Sequence, residues 1–119
     1  CAGRSRSMRH NMGATLEARL RAREKRVTVD GHTFTIRRPK AADLIQPLNG
    51  LDLVRKFTVG WDLLGSDLVP GGNPEPEPFS PELFADYVED TPSLWEPLAS
   101  AINDMWREHE SRIELDAKN

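Results

Sequence analysis

The stretch Val27-Thr28-Val29-Asp30-Gly31-His32-Thr33-Phe34-Thr35-Ile36 decides the fold class. Small β-branched and apolar residues alternate on both sides of Asp30-Gly31. That dipeptide suits a two-residue type I′ turn, because both central positions need positive φ. The implied register sets Val29 opposite His32, Thr28 opposite Thr33 and Val27 opposite Phe34. Val27, Val29, Phe34 and Ile36 then share one face, and Thr28, Thr33 and Thr35 share the other. His32 on the apolar face reads as a packed or rim histidine. A lone hairpin is marginal in water, so this one must pack on helices or gain strands from another subunit.

Outward from the hairpin the pattern turns helical. Upstream, Leu16 and Leu20 lie one helical turn apart among strong helix formers, which predicts a basic helix over residues 14–26. Glu17 precedes Arg21 by four residues, a favourable pair. Two leucines are few to dock it, so this arm either stays largely solvated or docks on another chain. Residues 1–13 are expected to be disordered or to derive from outside the natural frame, since Met8 and Met12 are both candidate starts.

Downstream, residues 40–113 read as a helical body that completes a single domain over residues 14–113. The pattern predicts a short helical segment at 41–48 and a longer helix at 51–64, where Leu51, Val54, Phe57, Trp61 and Leu64 recur at helical spacing. Gly60 weakens that helix by about 1 kcal/mol relative to Ala, which points to close approach of a neighbouring element. Residues 65–80 form a long loop with Pro70-Gly71-Gly72 and Pro74-Glu75-Pro76-Glu77-Pro78, a composition that excludes helix interior and central strand. Leu68, Val69 and Phe79 are expected to anchor it as it wraps the body. Ser80 and Pro81 start the next helix, with Leu83, Phe84, Tyr87 and Val88 as its buried stripe. A last helix begins near Thr91-Pro92-Ser93, where Ser93 and Glu96 fit a capping box. Residues 114–119 are expected to fray. The fold class is therefore α+β and predominantly helical: a basic helix, a hairpin, then three to four helices with a long Pro/Gly-rich loop.

Composition narrows the function. The chain has 119 residues, 38% of them hydrophobic and 29% charged, with a mean hydropathy of −0.57. It contains no apolar run long enough for a membrane span. The basic start precedes no apolar segment, so no secretory signal is read there. Cys1 is the only cysteine, which leaves no internal disulfide framework or multi-cysteine zinc site. A cytoplasmic setting is the default expectation. The net charge of −3 is split: residues 1–40 hold eleven bases and three acids, a net of +8, and the rest of the chain carries −11.

Catalytic patterns do not emerge. The sequence has no phosphate-binding Gly loop ending in Lys-Ser/Thr, no Gly-x-Ser-x-Gly elbow and no dinucleotide fingerprint. The three histidines show no ligand spacing. Asp86, Glu89 and Asp90 read as a solvated helix face, and Glu75 and Glu77 lie in an extended run ill suited to acid catalysis. No enzyme, metal or cofactor is expected. The basic arm meets the electrostatic criterion for nucleic acid but lacks interleaved aromatic rings. The candidate interaction residues are Arg19, Arg21, Arg23, Lys25 and Arg26 of the arm, with Trp61, Trp95 and Trp106 as large apolar contacts that otherwise belong to the core.

The order of these motifs is informative. The hairpin ends in Ile36-Arg37-Arg38-Pro39. Val59-Gly60-Trp61-Asp62-Leu63-Leu64 and Asp67-Leu68-Val69-Pro70-Gly71-Gly72 follow. Phe79-Ser80-Pro81-Glu82-Leu83-Phe84 and Leu94-Trp95-Glu96-Pro97-Leu98 come after. Over roughly residues 14–112 this order resembles the small tail assembly chaperones of long-tailed bacteriophages and prophages. The resemblance implies a non-enzymatic protein of the host cytoplasm that binds the tape-measure protein, helps recruit tail-tube subunits and is absent from the mature virion. It also implies self-association, and contact with the tube protein through a longer frameshifted product. The alternatives are a small nucleic-acid-binding regulator and a structural head or neck component.

Overall fold

The computed structural model describes residues 13–118. The expectations for residues 1–12 and for Asn119 lie outside the described residues. The fold is α+β, with a three-stranded antiparallel sheet in the order β1-β2-β3. Helix α1 covers residues 13–22. It is followed by β1 (Glu24–Val29), β2 (His32–Arg37), a 3₁₀ turn at Ala41–Leu44, α2 (Gly50–Phe57), β3 (Thr58–Trp61), α3 (Gly65–Leu68), α4 (Pro81–Glu89), a 3₁₀ turn at Pro92–Leu94, and α5 (Trp95–Lys118).

The hairpin forms in the expected register, with Val27 paired to Phe34, Thr28 to Thr33 and Val29 to His32. Asp30 and Gly31 carry φ of 52° and 80°, as a type I′ turn requires. The ladder runs further back than the alternation suggested. Lys25 pairs with Ile36 and Glu24 with Arg37, and the Arg37 guanidinium donates to the Glu24 carboxylate at 2.7 Å. The basic helix therefore stops at residue 22 rather than 26, because residues 24–26 satisfy the backbone of β2 instead. Gly13, placed before the helix by the sequence, lies within it.

The largest departure is at residues 51–64. The helix ends at Phe57, and Thr58–Trp61 becomes β3, antiparallel to β2 with Phe34 opposite Trp61 and Thr35 opposite Gly60. The apolar spacing fits a helix, but the β-branched pair Thr58-Val59 and the exposed hydrogen-bonding edge of β2 favour a strand. The hairpin thus gains its third strand from its own chain. The close approach expected at Gly60 is real: a Cβ there would stand 3.2 Å from Thr35 Cβ.

Residues 65–80 are more structured than a loop. Helix α3 occupies their first turn, and the Pro-rich run folds back on it. Gly65 N–H donates to the Glu75 carbonyl at 3.0 Å, Ser66 N–H to the Asn73 carbonyl at 2.8 Å, and Glu77 N–H to the Leu63 carbonyl at 2.9 Å. Leu68 and Phe79 pack on the core as expected, whereas Val69 is 61% exposed and anchors nothing. Of residues 41–48 only Ala41–Leu44 are helical, as one 3₁₀ turn, since Pro47 and Asn49-Gly50 keep a full helix from developing.

The core lies between the apolar face of the sheet and α2, α4 and α5. It contains Val29, Phe34, Ile36, Leu53, Val54, Phe57, Leu63, Phe84, Val88, Leu94, Leu98 and Ile102. Ser80 caps α4 by accepting from Leu83 N–H at 3.3 Å, with Pro81 at the first helical position. The capping box expected at Ser93 does not form. A 3₁₀ turn precedes α5, and the Ser93 hydroxyl instead donates to Asp30 of the hairpin turn at 2.8 Å. The expected fraying at 114 is also overturned: α5 is helical to Lys118, carried by the good helix formers Glu114, Leu115 and Ala117.

Candidate functional site

Two surfaces collect the candidate residues. The first is a basic pocket of about 470 Å³. Three parts of the chain build it: α1 with its following turn (Arg19, Arg23), the edge strand and the exit of the hairpin (Lys25, Arg38), and α5 (His109, Arg112). The backbone fixes this convergence. Arg38 N–H donates to the Arg23 carbonyl at 2.6 Å, and Arg23 N–H donates to the Leu20 carbonyl at 3.1 Å, which ties the end of α1 to the hairpin exit. Beside Arg38, Pro39 is fully buried and holds the chain as it leaves β2.

The pocket's charges are poorly compensated. Of the acids lining it, Glu24 is engaged by Arg37 at 2.7 Å, and Glu108 reaches Arg112 at 4.0 Å. Among the described residues, Arg19, Arg23 and Arg38 have no ion-pair partner, and the Arg23 Nε is buried without an acceptor. Partial burial holds the Arg38 pKa below its ordinary value, and the charges of Arg23, Arg112 and Arg19 lower it further. The His109 pKa is lowered in the same way, first by desolvation and then by Arg38 and Arg112. In electrostatic terms the pocket is a positive patch that favours negative charge.

Arg19, Arg23 and Lys25 of the predicted arm thus come together, while Arg21 and Arg26 do not. Arg21 pairs with Glu17 at 3.6 Å on the exposed side of α1. Arg26 lies exposed on β1 beside Thr35. Arg38, His109 and Arg112 were not singled out by sequence. Arg38 enters the sequence reading only through the charge count and the motif that closes the hairpin, and the two α5 residues are brought in by tertiary folding alone.

The second surface is an apolar groove of about 470 Å³ between α2 and α5, lined chiefly by Leu51, Trp95 and Ala99, with Arg55 and Glu96 at its rim. The three tryptophans separate here. Trp61 is a packing residue: its ring meets Phe79 at 5.1 Å and Phe84 at 6.2 Å, and its indole N–H donates to the Glu77 carbonyl at 2.7 Å. Trp95 is half-buried, tied to α4 by its indole N–H to the Val88 carbonyl at 2.6 Å, and it also forms the groove wall. Trp106 stands outside the core cluster, with its ring 5.6 Å from that of His109.

Among the described residues no group of His, Cys, Asp and Glu is arranged to hold a metal ion, and no helix is long and apolar enough to cross a membrane. Comparison with protein-family models, curated proteins and solved structures finds no match.

Proposed function

We propose that the chain is a non-enzymatic tail assembly chaperone that binds the tape-measure protein and helps recruit tail-tube subunits in the host cytoplasm. The groove at Leu51, Trp95 and Ala99 carries this reading. A long tape-measure helix presents apolar side chains that must be shielded until the tube covers them. A shallow apolar groove with a charged rim takes one or two such side chains at modest affinity. Many copies along one partner then supply the avidity, while each copy remains displaceable. The motif order over residues 14–112, which resembles that family, supports the same reading.

The test is co-expression with a tape-measure segment, followed by affinity capture. Ala99→Glu places a charge inside the groove at a half-buried position. The expected result is loss of capture by about tenfold or more, measured at a temperature where the melting profile shows the variant folded, since the charge lowers stability where Ala99 packs on the core. Full capture by this variant would exclude the groove. The protein should also be missing from purified virions, and its presence there would favour a head or neck component.

A further inference from the structure

We propose that the basic pocket between α1, the hairpin exit and α5 is a binding site for a small, multiply charged phosphate compound. This inference is independent of the chaperone reading. Arg19, Arg23, Arg38 and Arg112 present four guanidinium groups to one cavity, with Lys25 and His109 beside them. Three of the four guanidiniums have no acid partner among the described residues. A guanidinium fork matches the oxygens of a phosphate two at a time, and such charge-assisted pairs are the strong ones.

The chemical class follows from charge density. A carboxylate brings one negative charge on two oxygens, too little for four arginines around a single cavity. A phosphate monoester brings nearly two charges on three oxygens, and an oligophosphate brings more. The volume, about 470 Å³, falls in the range of roughly 300–1,000 Å³ usual for small-ligand sites. A nucleic-acid strand fits less well. The lining holds no Phe, Tyr or Trp on which a base could stack. The location also has a consequence. The ligand would join α1 to α5 across the hairpin exit.

Calorimetric titration of the full chain with inorganic tripolyphosphate at low ionic strength tests the site, with adenosine triphosphate as a second arm. Saturable binding is expected, accompanied by movement of the His109 ring resonances. Tighter binding of adenosine triphosphate would identify a nucleotide source, and equal binding the phosphate chain alone. Arg19→Gln and Arg38→Gln should each weaken binding by about tenfold. Arg19 is exposed, so its variant folds even if the Arg38 variant does not. Arg26→Gln, outside the pocket, should bind as the unaltered chain does. The proposal is overturned by absence of binding, by Arg19→Gln binding normally, or by a glutamate-rich peptide binding as tightly as tripolyphosphate. It is equally overturned if a single-stranded RNA binds and tripolyphosphate does not displace it.

Discussion

At the residue scale, the packing centre is Phe84. Its ring lies 6.2 Å from Phe34, 6.2 Å from Trp61 and 5.8 Å from Phe79, and it is fully buried. It joins α4 to the sheet and to the end of the folded-back Pro-rich run. Phe84→Ala should cost about 3–5 kcal/mol, read as a lower urea midpoint. A loss below about 1 kcal/mol would mean that the ring cluster repacks around the gap. His109 makes a prediction of a different kind. Its folded pKa lies below the ordinary histidine value that an unfolded chain approaches. The folded chain therefore binds fewer protons in the interval between the two values. The stability contribution is complete above the unfolded value and is lost as pH falls toward the folded one. His109→Gln should flatten the decline in melting temperature just below neutral pH. An oligophosphate held by Arg38 and Arg112 would relieve their repulsion and raise the His109 pKa, so ligand should also flatten that decline in the unaltered chain.

At the scale of elements, β3 is where sequence and structure part most clearly. Leu51, Val54, Phe57, Trp61 and Leu64 keep helical spacing, and local periodicity cannot distinguish the last two from strand positions. What decides is non-local: β2 needs a second neighbour, and Thr58–Trp61 lies where it can serve. The hairpin, by contrast, was legible to the residue pairing, because a turn and its two strands are contiguous. The caps of α4 were legible for the same reason. Of the candidate site, Arg19, Arg23 and Lys25 could be read from the charge split, but Arg38, His109 and Arg112 could not be distinguished from solvated charge without the fold. Gly60→Ala tests the strand directly. In a helix this exchange stabilises by about 1 kcal/mol. In β3 the new methyl meets Thr35 Cβ at 3.2 Å, and that atom cannot rotate away. A loss of roughly 1–2 kcal/mol is expected in chemical denaturation, largely recovered in the Gly60→Ala/Thr35→Gly pair once the strand cost of the new glycine is allowed for. Stabilisation by Gly60→Ala alone would return the segment to a helix.

At the scale of the molecule, the chain is more spread than its core requires. The radius of gyration is 17.5 Å, against about 13.5 Å for a compact domain of this length. Both described ends are poorly covered. Helix α1 is exposed along its length apart from Leu20, and the far part of α5 leaves Ile113 and Leu115 51% and 60% exposed. Leu16, at 58% exposure, adds a third uncovered apolar residue. These ends also bear on the charge split: residues 1–22 hold five of the eleven bases of residues 1–40, and residues 41–119 carry −11. An arm that serves assembly can be removed without loss of the fold, provided the cut respects the sheet. Deleting residues 1–26 would remove half of β1 and with it the β1 partners of Thr35, Ile36 and Arg37, so an effect on assembly could not be separated from damage to the sheet. Deleting residues 1–22 stops short of the first strand and leaves every core residue in place. The expected outcome is a melting temperature close to that of the full chain together with a smaller solution mass by light scattering. Raised salt should reduce the mass of the full chain toward that of the truncated one, because exposed charge pairs are screened. An unchanged mass after the deletion would take the arm out of assembly and leave α5, with Ile113 and Leu115, as the surface on which copies could meet.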